Sequence, residues 1–98
     1  MPAIFTTKTF DLWFEELKDT KGRFRIQARI DRAELGNFGD CEPVGEGVSE
    51  MREYFGSGWR MYYVERRSTL IIMLGGGDKA TQRADISKAI ALSRTIEE

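Results

Sequence analysis

One stretch decides the fold, residues 47–86, which reads GVSEMREYFGSGWRMYYVERRSTLIIMLGGGDKATQRADI. Residues 48–55 and 59–66 are each predicted to form a β-strand, in which successive side chains point to opposite faces of the sheet. The intervening Gly56-Ser57-Gly58 predicts a hairpin turn. Residues 69–74 form a continuous apolar run, which predicts a central strand buried on both faces. We therefore expect a three-stranded meander that is followed by a glycine-rich turn and a helix.

Helices are predicted on either side of this meander. Apolar residues recur at the spacing of one helix face before residue 18, over about 21–35 and over about 82–96. The first two helices are separated by only a few residues and should form an antiparallel hairpin. A short apolar segment at 4–6 predicts an edge strand. Residues 38–47 contain three Gly and one Pro, which predicts a loop.

The predicted order of elements is β-α-α-β-β-β-α, in a single domain over residues 1–98. A chain of this length buries roughly 60–65% of its unfolded surface, which is enough for one modest core. The order is typical of the α+β class. We expect the helical hairpin and the C-terminal helix to pack on one face of a small, twisted, mainly antiparallel sheet.

Composition narrows the chemistry that the chain can perform. It has no His and one Cys, Cys41, which argues against a zinc or copper site and excludes an internal disulfide. The net charge is -1, whereas dedicated nucleic-acid-binding domains usually carry a basic excess. No apolar run approaches the roughly 20 residues that span a bilayer, and no signal peptide is recognisable. We expect a cytoplasmic protein with no metal ion, no other cofactor and no membrane contact.

Cations and aromatic residues are interleaved along the meander and the turn after it. Cations bind phosphates and aromatic rings stack on bases, so this pattern favours a surface for a nucleotide or a polyanion. The alternation places Arg60, Tyr62 and Arg66 on one face of their strand and Trp59 and Tyr63 on the other. A purely structural role for the charged pairs is the alternative. The candidate residues are Glu50, Arg52, Trp59, Arg60, Tyr62, Tyr63, Arg66, Lys79 and Gln82.

Two further motifs each have a functional and a structural interpretation. The turn Gly75-Gly76-Gly77-Asp78-Lys79 precedes a helix, where backbone amides can bind an anion. It lacks the spacing of an ATP-binding loop, so we interpret it as a tight turn that presents Lys79. Arg25, Arg29 and Arg32 form a basic ridge on the second helix. The ridge is either a solvated helix face or a contact for an acidic partner or RNA.

The order and spacing of several motifs carry a family resemblance. The motifs occupy residues 35–40, 47–52, 56–63 and 74–82, and Asp85-Ile86 and Ala89 follow them. With these motifs nearly the whole chain resembles the phage-derived Gp49-like, or HigB-like, addiction-module killer proteins of the RelE/ParE toxin superfamily. The resemblance implies a RelE/ParE-like fold and the toxin of a type II toxin–antitoxin system. It also implies a cognate antitoxin protein of the helix-turn-helix type, through which alone the toxin would meet operator DNA.

The same resemblance implies an activity. The best-known members enter the ribosomal A site and cut mRNA without a metal ion, which inhibits translation. No tyrosine follows Tyr63, whereas RelE-type members carry a C-terminal acid/base tyrosine. A non-enzymatic poison of DNA gyrase, as in ParE-type relatives, is therefore the alternative. The resemblance implies that Arg60 and Lys79 are catalytic and that Arg52 binds the scissile phosphate. From the residue types, Glu50 is the carboxylate candidate for the proton acceptor and Tyr62 or Tyr63 the phenol candidate. The remaining candidates are Trp59, Tyr62, Tyr63, Arg66 and Gln82 for RNA binding and Arg25, Arg29 and Arg32 for antitoxin binding.

Overall fold

A computed structural model describes residues 2–96, and over these residues the chain forms an α+β structure, as predicted. A single turn of 3-10 helix, Lys79–Thr81, directly precedes the last helix. The structure adds one strand, β2, to the predicted order. The elements are β1 (Ala3–Thr6), α1 (Lys8–Glu16), α2 (Thr20–Glu34), β2 (Cys41–Gly45), β3 (Val48–Arg52), β4 (Arg60–Arg66), β5 (Leu70–Gly77) and α3 (Gln82–Ser93).

The five strands found over residues 2–96 form one mixed sheet in the order β1-β5-β4-β3-β2. β1 pairs with β5 in parallel, and the other neighbouring strands are antiparallel. The prediction of a mainly antiparallel sheet is confirmed. Since β1 ends at Thr6, opposite Met73, β5 extends beyond its parallel neighbour. That extension of β5 leads directly to Lys79.

Helices cover both faces of the sheet, so the prediction that they share one face is wrong. α1 and α2 pack on the face that carries Met51 and Met61. α3 packs on the opposite face, against Val48 and Val64. Successive residues of a strand point to opposite faces. Each face of these strands carries buried apolar side chains, and each therefore needs a covering layer.

Residues 38–47 contain the edge strand β2, where a loop was predicted. Pro43 lies in this strand opposite Ser49, and proline is tolerated there because one side of an edge strand needs no hydrogen bonds. Gly45 and Gly47 have φ of 124° and 82°, and with Glu46 they turn the chain into β3. The glycines and the proline that suggested a loop are thus parts of a β-hairpin.

The three glycines after Leu74 form the end of β5, so the prediction of a glycine turn at this point is wrong. None of the three has a positive φ. A Cβ on Gly76 would lie 2.4 Å from the Trp13 ring, and one on Gly77 would lie 1.8 Å from Asp85 Oδ2. Because these residues lack side chains, α1 and α3 can approach the sheet closely. The chain leaves the strand only at Asp78, which caps the 3-10 helix.

Side-chain caps begin the first two helices, and α3 ends at Ser93, three residues before its predicted end. Thr7 Oγ1 accepts a hydrogen bond from the backbone N–H of Phe10 at the start of α1, at 3.1 Å. Asp19 Oδ1 does the same for Gly22 at the start of α2, at 2.9 Å. Within residues 2–96 no helix has the length and apolar content that crossing a membrane requires.

Candidate functional site

The two cations that were predicted to be catalytic, Arg60 and Lys79, both lie beside the turn between β3 and β4. The backbone N–H of Lys79 donates to the carbonyl of Ser57 at 3.5 Å. A Cβ on Gly58 would lie 3.5 Å from Lys79 Cβ and 3.6 Å from Arg60 Nη1. We call Arg60, Lys79 and Gly58 the basic corner. Lys79 is exposed, whereas Arg60 is only 5% exposed.

Arg60 is held from several directions. Its Nη1 donates to the carbonyl oxygens of Gly58 at 3.1 Å and Trp59 at 3.4 Å. Its Nε lies 3.8 Å from Glu50 Oε1 in an ion pair. The guanidinium carbon lies 5.6 Å from the centre of the Tyr54 ring. The side chain therefore holds its charge in a fixed position at the start of the central strand β4.

Glu50 lies behind Arg60 and is 2% exposed. Its Oε2 accepts a hydrogen bond from Gln82 Nε2 at 2.8 Å. Gln82 is the first residue of α3, so this bond joins the helix to the middle of the sheet. The structure therefore brings three predicted site residues together in one chain of contacts, which we call the Gln82–Glu50–Arg60 chain.

Tyr62 shares the face of Arg60 but is fully buried. Its hydroxyl is buried and makes no hydrogen bond of standard geometry with the described residues. Burial raises the pKa of Tyr62 well above its usual value, and the negative charge of nearby Glu50 raises it further. The phenol thus stays protonated at neutral pH and has no surface on which a base could stack.

Arg52 lies next to Arg60 in the register of β3 and β4, but its guanidinium binds carboxylates. Nη2 donates to Asp40 Oδ1 at 3.0 Å and Nη1 to Glu42 Oε2 at 2.5 Å. The hydrogen bond from Arg52, followed by one from Tyr54, lowers the pKa of Asp40. Two carboxylates therefore offset the charge of Arg52, which weakens its case as a ligand for a phosphate.

The aromatic residues Trp59 and Tyr63 lie on the opposite face of β4, as the alternation predicts. There they belong to the core beneath α1 and α2, where Trp59 contacts Trp13 and Tyr63 contacts Phe38. Tyr63 is 8% exposed, and burial raises its pKa well above the usual value. Both rings are therefore engaged in core packing, which weakens their case as surfaces on which an RNA base could stack.

Arg66 lies at the other end of β4 from Arg60. The two are six positions apart along the strand, which corresponds to roughly 20 Å. Arg66 Nη2 donates to the carbonyl of Ser93 at the end of α3, at 3.3 Å. The predicted RNA-binding role of Arg66 therefore cannot involve the same phosphate as Arg60.

The basic ridge on α2 is interrupted at Arg29, so the prediction of three arginines on one exposed face is wrong. Arg29 is 6% exposed and donates to the carbonyl oxygens of Phe38, Asp40 and Arg52. These hydrogen bonds hold the segment between α2 and β2 against α2. Arg25 and Arg32 are exposed, and the Arg25 guanidinium lies 4.2 Å from the centre of the Phe55 ring.

Two residues near the corner were given no role in the sequence interpretation. Asp85 covers Gly77, and its Oδ2 accepts a hydrogen bond from Thr81 Oγ1 at 2.5 Å. Tyr54 contacts both Arg60 and Asp40. The spacing of Asp85 three residues after Gln82 places both on one helix face, a signal that could have linked it to the site.

Comparison with known proteins identifies the family of this chain but not its activity. The chain is 43% identical over 93 residues to an uncharacterized protein of Haemophilus influenzae, a match that covers 95% of this chain and 94% of that protein. No family model matches the chain. The chain belongs to the same family as the Haemophilus influenzae protein.

Proposed function

We propose that this protein is the toxin of a type II toxin–antitoxin system, related to the Gp49-like and HigB-like members of the RelE/ParE superfamily. Its activity would be ribosome-dependent cleavage of mRNA in the cytoplasm, which inhibits translation. The observation that supports this proposal best is the basic corner, where Arg60 and Lys79 converge at Gly58. The motif resemblance along nearly the whole chain and the α+β architecture are consistent with it.

The proposed reaction uses the RNA's own 2′-OH as the nucleophile. Its oxygen attacks the adjacent phosphorus while it loses its proton, and the 5′-oxygen of the next nucleotide leaves and takes up a proton. The products are a 2′,3′-cyclic phosphate and a 5′-hydroxyl. Arg60 and Lys79 would stabilise the additional negative charge of the pentacoordinate phosphorane, which is the largest electrostatic contribution in such chemistry.

The buried positions of the acid/base candidates favour a dependence on the ribosome. Glu50 and the two tyrosines of β4 lie inside the protein over the described residues. The corner can therefore neutralise a phosphate, whereas the predicted acid/base candidates are not accessible to a substrate. A bound substrate that is already held in the attacking geometry reduces what the enzyme itself must supply. We expect free RNA to survive and translated mRNA to be cut.

The burial of the predicted acid/base candidates also supports a second candidate function. A protein whose predicted acid/base candidates are buried could instead block DNA gyrase by binding, as the ParE-type resemblance implies. Under this alternative the corner would contact an acidic protein surface or the DNA backbone. The cognate antitoxin would be the neutralising partner in either case, and its contact would include the exposed Arg25 and Arg32.

A translating extract tests the proposal directly. Purified protein is added to the extract, and mRNA integrity and protein synthesis are followed together. Lys79→Ala should reduce cleavage by about 10²–10³-fold, the typical cost of removing one donor that stabilises transition-state charge. Lys88→Ala is the matched control, because Lys88 is also exposed and lies six residues beyond Gln82 along α3. Intact, translated mRNA at saturating protein would reject the nuclease, and failed DNA supercoiling would then support the gyrase poison.

A further inference from the structure

We infer that Glu50 and Gln82 are positioning residues for Arg60, and that Glu50 is not the group that accepts the proton of the 2′-OH. This inference rests on the proposed function, since it assigns roles around the arginine that would meet the phosphate. It starts from the burial of Glu50, which is 2% exposed. A carboxylate in such a position is costly unless charged and hydrogen-bonding partners hold it.

Both oxygens of Glu50 face partners within the protein. Oε2 accepts the hydrogen bond from Gln82 Nε2 at 2.8 Å, and Oε1 faces Arg60 Nε at 3.8 Å. A general base must come within hydrogen-bond reach of the proton that it removes. Because the carboxylate is buried between Gln82 and Arg60, it can influence the substrate only through Arg60.

The contacts of Arg60 define which atom remains for a ligand. Nη1 donates to the Gly58 carbonyl at 3.1 Å, and Nε faces Glu50. Among the described residues Nη2 makes no hydrogen bond, so it is the group left for a phosphate oxygen. A donor fixed before the substrate arrives stabilises developing charge without a cost of reorganisation.

Gln82 connects the Glu50–Arg60 pair to the segment that carries Lys79. It begins α3 directly after the 3-10 helix that carries Lys79. The hydrogen bond from Gln82 to Glu50 therefore ties the segment that presents Lys79 to the strand that presents Arg60. Loss of this bond would disturb the distance between the two positive charges as well as the orientation of Arg60.

Substitutions at Glu50 separate a positioning role from a proton-transfer role. Glu50→Gln keeps the shape of the side chain and an acceptor oxygen but removes its basicity. If Glu50 positions Arg60, the Glu50→Gln protein should retain most of the mRNA cleavage. Glu50→Ala and Gln82→Ala should lose about 10²-fold, which is the expected cost of a misplacement of about 1 Å. If Glu50 is instead the general base, the Glu50→Gln protein should be as inactive as the Glu50→Ala protein.

The NMR signal of the Arg60 Nε–H provides a readout that does not depend on activity. In the wild-type protein this proton is buried beside Glu50 and should exchange slowly with water at neutral pH. Its exchange should become faster in Gln82→Ala and Glu50→Ala. Gln27→Ala is the matched control, because Gln27 donates to Asp31 on the exposed face of α2, and it should leave the signal unchanged.

The two readouts distinguish failure of the inference from failure of the proposed function. If the wild-type protein does not cleave mRNA, the proposed function is wrong, and the NMR signal still decides whether the chain of contacts holds Arg60. If Glu50→Ala does not fold, Glu50→Gln and Gln82→Ala carry the test. Unchanged exchange of the Arg60 Nε–H in folded Gln82→Ala would overturn the inference. So would an inactive Glu50→Gln protein that keeps the wild-type signal.

Discussion

Alanine substitutions at two neighbouring glycines of β5 should have opposite effects on stability. Gly75 and Gly76 both adopt strand conformations without positive φ, so alanine is compatible with the backbone at either position. The difference lies in what a new Cβ would contact. At Gly75 the nearest atom is Thr9 Cγ2 at 3.8 Å, an ordinary van der Waals distance, whereas at Gly76 it is the Trp13 ring at 2.4 Å.

The expected magnitudes follow from these distances. Gly75→Ala restricts the unfolded chain and introduces no clash, so it should raise the free energy of unfolding by about 0.4–1 kcal/mol. Gly76→Ala pushes against Trp13, whose ring packs between Phe10 at 5.7 Å and Trp59 at 6.3 Å. Because the ring has little room to move, we expect a loss of about 1–3 kcal/mol.

Thermal and urea unfolding of the two variants measure this difference. In a domain of this size each kcal/mol corresponds to roughly 4–8 °C in Tm, so the two variants should lie on opposite sides of the wild-type protein. Circular dichroism before unfolding confirms that both retain the native secondary structure. Equal effects of the two substitutions would refute the close packing of Trp13 on Gly76. A stabilised Gly76→Ala protein would refute it as well.

Three further predictions concern buried or paired polar groups. Tyr62→Phe removes a buried hydroxyl that makes no hydrogen bond. The free energy of unfolding in urea titrations should therefore be unchanged or should rise by about 1–3 kcal/mol. A clear decrease in this free energy would instead reveal a hydrogen bond from Tyr62 to Glu50. Arg52 lowers the pKa of Asp40. Their ion pair therefore stabilises the protein at pH values above the unfolded-state pKa of Asp40, which is about 3.9. This stabilisation is lost as the pH falls through the lower pKa that Asp40 has in the folded protein. Arg52→Gln should therefore lower Tm at neutral pH, and the difference should shrink in acid; a Tm difference that is constant with pH would contradict this. Arg29→Met leaves three carbonyl oxygens without their donor and should cost at least about 1–3 kcal/mol in chemical unfolding, whereas the exposed Arg32→Met should change stability by less than about 0.5 kcal/mol.

The amino-acid sequence by itself predicted the three α-helices and four of the five strands found over residues 2–96, in the correct order. The period of two along a strand separated Arg60 from Trp59 and Tyr63. The caps of α1 and α2, Thr7 and Asp19, are residue types that favour helix starts, since capping depends on residues only three positions apart. Information of this kind is local, since the interacting residues are neighbours along the chain.

Tertiary packing decided which interpretation of an ambiguous residue was correct. The glycines of β5 indicated a turn until Trp13 and Asp85, distant in sequence, were found packed on them. Arg29 belonged to a basic ridge by its spacing, but it is buried and donates to two carbonyl oxygens before β2 and one at the end of β3. Glu50 was a candidate base until Gln82 and Arg60 were seen to enclose it. Burial and partner choice depend on residues brought together by the whole fold, and no spacing along the chain specifies them.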